Sequence, residues 1–419
     1  MILAVEAENY RMLKSVRVEL ERFNVLIGPN ASGKTTFLDV LCFISDIIKD
    51  GVQSAVSSRT SNFYDLCFDP TKPVSIGVEV EIPAHAWVES PNEFSFTDYA
   101  CLRYEISVGI GDDDQALRVL QENLFMLPGG HGNLVRSSHP VGTEAGLMHH
   151  SVPRGWKKVV SKTEKGQDYF RDEKTSWNNM FRFGWDKSAL GSMPDDPTRF
   201  PRSLAVRDLL RDGITHLALE PRVLRASSPP GRSSTLGREG ANLPRLVREL
   251  QNRDPVLFNE WVAQLRDVVK GLADFSVWER EEDKHAILQA TFSGSHPQPV
   301  PSWLLSDGTL RLMALTALSY AGRPDQHGVY LIEEPENGLH PQVVQAVFEA
   351  LTSPGTGYQW VCASHSPVFL ANVEMEQALI FRRDPGGWST IKRIREIPEL
   401  ASWSGRVRMD DLLALGVLS

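Results

Sequence analysis

The chain has 419 residues, enough for two or three compact units and a large buried core. At net −9, with a pI near 5.7, it carries no global basic field that would mark it for nucleic acid, although local basic surfaces are compatible with that balance. Cys42, Cys67, Cys101 and Cys362 lack metal or disulfide spacing, and Glu6 and Glu8 interrupt the N-terminal apolar run before it can form a leader. No window nears the ~18 apolar residues of a membrane span, so a soluble, cytoplasmic chain without membrane contact is expected.

Taken in order, residues 2–7 and 16–20 read as strands, and the run Phe23, Val25, Leu26, Ile27 reads as a third. Residues 28–36 then spell Gly-Pro-Asn-Ala-Ser-Gly-Lys-Thr-Thr ahead of a helix running from 35 to about 50. Strand, glycine loop and helix in this order make a phosphate-binding loop. Gly28 and Gly33 let backbone N–H groups turn inward, and the helix N-terminus adds partial positive charge. Asn30, Ala31, Ser32, Gly33, Lys34, Thr35 and Thr36 are its candidate nucleotide contacts. Lys34 is placed for the β- and γ-phosphates, and the Thr35 hydroxyl for Mg2+.

Residues 51–72 are turn-rich. Those at 74–82 and 102–108 alternate as antiparallel strands, and 115–127 either continues the meander or begins a short helix. From 128 to 150 the chain is rich in Gly, Ser and His and reads as a loop. His149-His150 has no nearby acid or Cys to complete a metal site, so a solvated loop is the simpler reading. Residues 154–174 carry seven Lys and Arg against four acids, and residues 196–248 hold ten Arg and no Lys against five acids. Such runs are more often solvated faces than nucleic-acid sites, but the Arg-only bias leans toward phosphate or partner contacts. Residues 244–272 have helical spacing and form the expected core of an inserted lobe. Residues 275–278 and 286–292 look like a hairpin returning to the sheet.

Three further motifs follow. Ser306-Asp307-Gly308-Thr309 precedes an apolar helix and offers a hydroxyl and free N–H groups to an anion. The apolar strand at 329–332 ends in Glu333-Glu334-Pro335-Glu336, at the edge where ligands bind in parallel sheets. Glu333 is placed to hold Mg2+, and Glu334 to orient and deprotonate the attacking water. A last strand, at 359–363, ends in Ser364-His365, where His365 can reach a γ-phosphate.

In this order and spacing the chain resembles the ABC-type ATPases of the SMC, RecF and OLD branch, and more closely the compact AAA-family ATPases of bacterial phage-defence loci. Glu-Glu-Pro-Glu-Asn-Gly-Leu-His-Pro (333–341) and Ser-His-Ser-Pro (364–367) carry the resemblance, with Gly240-Ala241-Asn242-Leu243 as a weaker likeness. It implies an α/β fold: a P-loop ATPase head of the ABC type, with an antiparallel meander, a parallel core and an inserted, partly helical lobe. The expected divisions are 1–125 and 275–395 for the head, 126–274 for the lobe and 396–419 for a tail.

It also implies ATP and Mg2+ as cofactors and a head-to-tail dimer, or a higher homo-oligomer. Ser306, Asp307 and Gly308 would then meet the partner copy's nucleotide, while Asn337, Gly338, Leu339 and His340 would cross the interface. Two departures stand out. Glu333 replaces the usual Asp, and no glutamine loop is evident, Gln53 being a poor candidate. OLD-type relatives carry a nuclease after the head. About fifty residues follow Pro367 here, against the ~100 of a small domain, so any nuclease or toxin effector is expected on a separate chain.

The function expected is an ATP-hydrolysing dimer that senses DNA or phage state in antiviral defence. A RecF-like repair ATPase that binds DNA and a non-hydrolysing ATP-dependent scaffold stay open as alternatives.

Overall fold

The run Phe23–Ile27 is buried along its whole length, as a strand with neighbours on both sides and cover on both faces must be. In the computed structural model it is β3, near the middle of a six-stranded sheet. The structure describes residues 1–82, 86, 99–111, 115–128, 146–163, 165–175, 177–231, 235–294, 298–322, 327–353, 357–397 and 409. The expected loop at 129–145 and nearly all of the expected tail lie outside them.

Two strands lead into β3: β1 (Ile2–Tyr10) and β2 (Leu13–Glu19). Helix α1 (Lys34–Asp50) follows it, with the short α2 (Val52–Ser57) behind. The meander comprises β4 (Val74–Glu81), β5 (Tyr99–Ile110), β6 (Leu117–Pro128), β7 (Lys157–Lys162), β8 (Asp168–Arg171) and β9 (Asn178–Phe181). Next come α3 (Pro201–Asp212), β10 (Ile214–Leu217), α4 (Pro221–Leu224), α5 (Leu243–Arg253) and α6 (Pro255–Val268). The hairpin strands β11 (Leu272–Glu279) and β12 (Ala286–Phe292) are joined by β13 (Pro299–Pro301). The chain closes through α7 (Asp307–Ala321), β14 (Gly328–Glu333), α8 (Pro341–Thr352), β15 (Tyr358–Ala363), α9 (Pro367–Leu370), β16 (Ala378–Arg383) and β17 (Ser389–Arg393).

Among the described residues the strands form three sheets. An antiparallel one runs β2-β1-β4-β5-β6-β7-β8-β9, the central one β10-β14-β15-β3-β16-β17, and a small one β11-β12-β13. In the central sheet all neighbours are parallel except β17, which pairs antiparallel with β16. This is the α/β architecture expected, with an antiparallel meander beside a parallel core.

The central sheet divides two cores, because successive side chains of a strand point to opposite faces. Leu26, Leu331 and Val361 face α1 (Phe37, Leu41, Ile44) and the antiparallel sheet (Val5, Ile76, Tyr104). Val25, Ile27, Tyr330 and Trp360 face the other way, onto Leu246, Trp261, Phe275 and Leu310. Trp261 fits this apolar core because its indole N–H donates to Thr316 Oγ1 at 2.9 Å.

Sheet pairing crosses the expected lobe boundary at 126: strands β7–β9 extend the antiparallel sheet, and β10 is an edge strand of the central sheet. Conversely, the hairpin at 272–292 does not return to the head. It pairs with β13 in the small sheet over α5 and α6. Alternation reveals a strand but not which sheet will hydrogen-bond it.

His149 also departs from the solvated reading. It is nearly covered, and its ring contacts the buried Glu105 carboxylate. Several arginines of 196–248 serve the fold: Arg207 pairs with Asp208 and Asp195, Arg211 with Asp212, and Arg245 with Glu279.

Candidate functional site

The loop at 28–36 is shaped by the strands beside it. A Cβ on Gly28 would sit 2.3 Å from the Phe381 carbonyl, and one on Gly33 would sit 2.3 Å from Ser389 Oγ. Gly33 also has φ +104, which side-chain-bearing residues rarely adopt. Ser389 Oγ donates to the Ser32 carbonyl at 2.7 Å, and its N–H to the Met12 carbonyl at 2.8 Å. The edge strand β17 therefore clamps the loop against the turn between β1 and β2, a role that no local motif announces.

The loop lines a cavity of about 170 Å3 together with Met12, Glu333, Glu334, Ala363, Ser364 and His365. Lys34 Nζ donates to the Gly28 and Pro29 carbonyls at 2.7 and 2.8 Å. Burial lowers its pKa, opposed by the charges of Glu333 and Glu334. Ser32 Oγ is buried without a partner, and Gly33 leaves the first turn of α1 without a side-chain cap. An orphaned hydroxyl, open helix N–H groups and an ammonium resting on carbonyls fit a phosphate chain with its cation.

The parallel register carries the acids to this point. Strand β14 ends at Glu333, opposite Ala363 of β15, and β15 in turn pairs with β3. Thr35 Oγ1 donates to Glu333 Oε2 at 2.7 Å, so the two candidate Mg2+ ligands already touch. His216 Nε2, at the end of β10, lies 3.5 Å from Glu333 Oε1. A hydrogen bond from His216 is the main reason the Glu333 pKa falls below its ordinary value, with burial opposing. Sequence reasoning missed His216: a lone His on a four-residue strand gives no signal of its own. Gln53 is exposed on α2, away from this cavity.

Glu334 holds φ +50, a strained conformation for a non-glycine residue. Its N–H donates to the Ala363 carbonyl at 2.8 Å, and its own carbonyl accepts from Asn337 N–H at 2.9 Å. These bonds aim its carboxylate into the cavity, 3.4 Å from His365 Nδ1.

Behind it, Glu336 Oε1 accepts from Ser364 Oγ at 2.7 Å while Oε2 has no partner. Burial raises the Glu336 pKa. A carboxyl raised in this way contributes stability that is complete below the unfolded value of ~4.3 and is lost as pH rises through the folded value. Glu336→Gln is therefore expected to unfold at higher urea than the parent at pH 8 and at equal urea near pH 4. Two denaturation curves check this.

Ser306, Asp307 and Gly308 are not part of the cavity. Ser306 caps α7, its Oγ accepting from Thr309 N–H at 3.2 Å. Asp307 pairs with Arg225 at 2.5 Å, and Arg225 also donates to the Leu305 carbonyl at 3.0 Å. A Cβ on Gly308 would lie 2.7 Å from the Gly338 carbonyl, so the start of α7 packs directly on the loop at 337–340. Gly338 has φ +74, and His340 caps α8, its Nδ1 accepting from Gln342 N–H at 3.3 Å. Ser306, Asp307, Asn337, Gly338 and His340 are exposed, and Leu339 is half-buried. Trp303 and Leu304 stand 50% and 68% exposed beside them.

Among the described residues, no three His, Cys, Asp or Glu side chains cluster as a metal site by themselves. A cation held by Thr35 and Glu333 would thus need phosphate oxygens to complete its shell, as Mg2+ bound with a nucleotide does.

Fold and site together define the class: an α/β P-loop head whose phosphate loop faces an acidic strand end. Residues 168–371 match the family model "AAA domain, putative AbiEii toxin, Type IV TA system", and residues 1–94 match "AAA ATPase domain". The fold is similar to the crystal structure of an SMC head bound to the C-winged helix domain of ScpA. Identity is 14% and the TM-score 0.52, over 94% of this chain and 99% of that one. The SMC head domain from Thermotoga maritima is also similar in part, at 11% identity and TM-score 0.40, over 94% and 98% of the two chains. No curated protein matches the chain. The chain thus carries two stretches that match AAA ATPase domain models and shares its overall fold with an SMC head.

Proposed function

We propose that this chain binds and hydrolyses ATP with Mg2+ in a site shared between two copies arranged head to tail, and that the ATP-bound dimer controls a separate effector. The observation that carries this reading is the division of the site. The cavity beside Lys34 holds Glu334 and His365, whereas the Ser306 cap lies outside it, exposed with Trp303 and Leu304. At about 170 Å3 the cavity is also smaller than the ~300–1,000 Å3 of a complete ligand site.

In this mechanism Lys34 and the loop N–H groups bind the phosphates, while Thr35 and Glu333 hold the cation. Bound Mg2+ neutralises charge on the phosphate oxygens. Glu334 takes the proton of the attacking water, and His365 orients that water and the γ-phosphate. Ser306 and the free N–H groups of α7 close the site from the other copy. No described helix is long and apolar enough to cross a membrane.

An effector on a separate chain, in anti-phage defence with DNA or phage state as trigger, accords with the toxin–antitoxin context in the matched family description. Purification from the native locus with ATP is expected to bring down a nuclease or toxin chain. DNA cleavage by the purified chain alone, retained in Glu334→Gln, would overturn this reading. A DNA-clamp role draws on exposed Arg171, Lys174 and Arg182 around the exposed Trp177 at the β8–β9 edge. It requires ATP-dependent DNA affinity that falls steeply with salt.

A further inference from the structure

Glu333 has one more methylene, and so one more rotatable bond between backbone and carboxylate, than an aspartate would have. A metal-binding carboxylate on a longer arm needs a second anchor, or it samples positions in which neither oxygen faces the cation. The structure supplies one from another strand. Register Leu217↔Ile332 brings the end of β10 alongside Glu333, so His216 Nε2 faces Oε1 at 3.5 Å while Thr35 engages Oε2 at 2.7 Å. The two oxygens are thus divided between the edge strand and the phosphate loop. His216 is mostly covered and Glu333 about a third exposed, so water screens the pair only in part. On its far side His216 borders a second, polar cavity of about 590 Å3 under α1 and α2, so no apolar packing demands a ring there.

We propose that His216 is a positioning residue for the nucleotide-bound divalent cation: by donating Nε2–H to Glu333 Oε1, it presents Oε2 to the metal beside Thr35. The proposal rests on the ATP-binding reading above and goes beyond it, since neither the phosphate-loop motif nor the acidic strand end specifies this histidine. It also gives β10 a purpose. The edge strand that carries His216 continues through α4 to Arg225, which holds Asp307 and the Leu305 carbonyl at the start of α7.

The test compares His216→Leu, similar in bulk but unable to donate, with His216→Gln, whose amide donates over a similar reach. Fluorescent ATP binding is measured first without metal and then during Mn2+ titration, with bound Mn2+ counted by electron paramagnetic resonance. Metal-free nucleotide affinity is expected to stay within about twofold of the parent in both variants. The Leu variant should need 10- to 100-fold more Mn2+ for half-saturation, about the range for losing a ligand's hydrogen-bond partner, and the Gln variant no more than about threefold. Parent-like Mn2+ affinity in the Leu variant, or equal losses in both variants, would overturn the proposal. Failure of the parent to bind nucleotide would instead remove the ATP-binding reading on which it rests.

Discussion

Glu334→Gln is expected to bind ATP with parent-like affinity and to release phosphate at least about 100-fold more slowly, the usual cost of losing a general base. Three features support so large an effect. Glu334 is the acid aimed into the cavity beside Lys34, its partner there is His365 at 3.4 Å, and its φ of +50 is held by bonds to Ala363 and Asn337. Glutamine keeps the shape and the hydrogen bonds but cannot accept the proton. The variant should therefore accumulate as an ATP-bound dimer, seen by light scattering as a doubling of mass that the parent shows only transiently. Glu334→Gly separates catalysis from strain: it should be equally inactive, yet at least as resistant to denaturant, because glycine adopts positive φ without the steric cost. Phosphate release by Glu334→Gln at the parent rate would assign the base elsewhere.

The candidate-site stretches are legible in the sequence because each is contiguous. A strand's last apolar residue, a loop and a helix cap fall within ten positions, so periodicity and residue type mark them together. The order β3, α1, α7, β14 and β15 and the α/β class follow from those stretches. What stayed hidden joins residues far apart in the chain. Ser389 clamps the phosphate loop from β17, His216 reaches Glu333 from β10, and Gly308 is small because the Gly338 carbonyl lies against it. None of these has a local signature, since each exists only once the sheet order is known. Strand pairing across position 126 was hidden for the same reason. Strands β7–β9 are short and carry basic residues, which resemble an insertion in composition, while hydrogen bonding joins them to β6 and the antiparallel sheet.

Mixing two inactive variants should restore turnover if the site is shared between copies. Lys34→Ala removes the phosphate-binding cation, so its homodimer has two defective loops but two intact α7 caps. Ser306→Arg leaves the loops intact and places a bulky cation at both caps, which stand exposed outside their own chain's cavity. In a twofold dimer each loop faces the other copy's cap. The heterodimer then holds one site with both defects and one site with none. Random pairing at equal concentrations makes about half the dimers mixed, each with one working site, so phosphate release should recover to about a quarter of the parent rate. Neither variant alone should exceed background. If the cap served its own chain's nucleotide, every site in the mixture would keep one defect and no recovery would occur. The same experiment with Lys34→Ala and Glu334→Gln serves as a control. Both defects in that pair lie at the cavity of their own chain, so that mixture should remain inactive in every pairing.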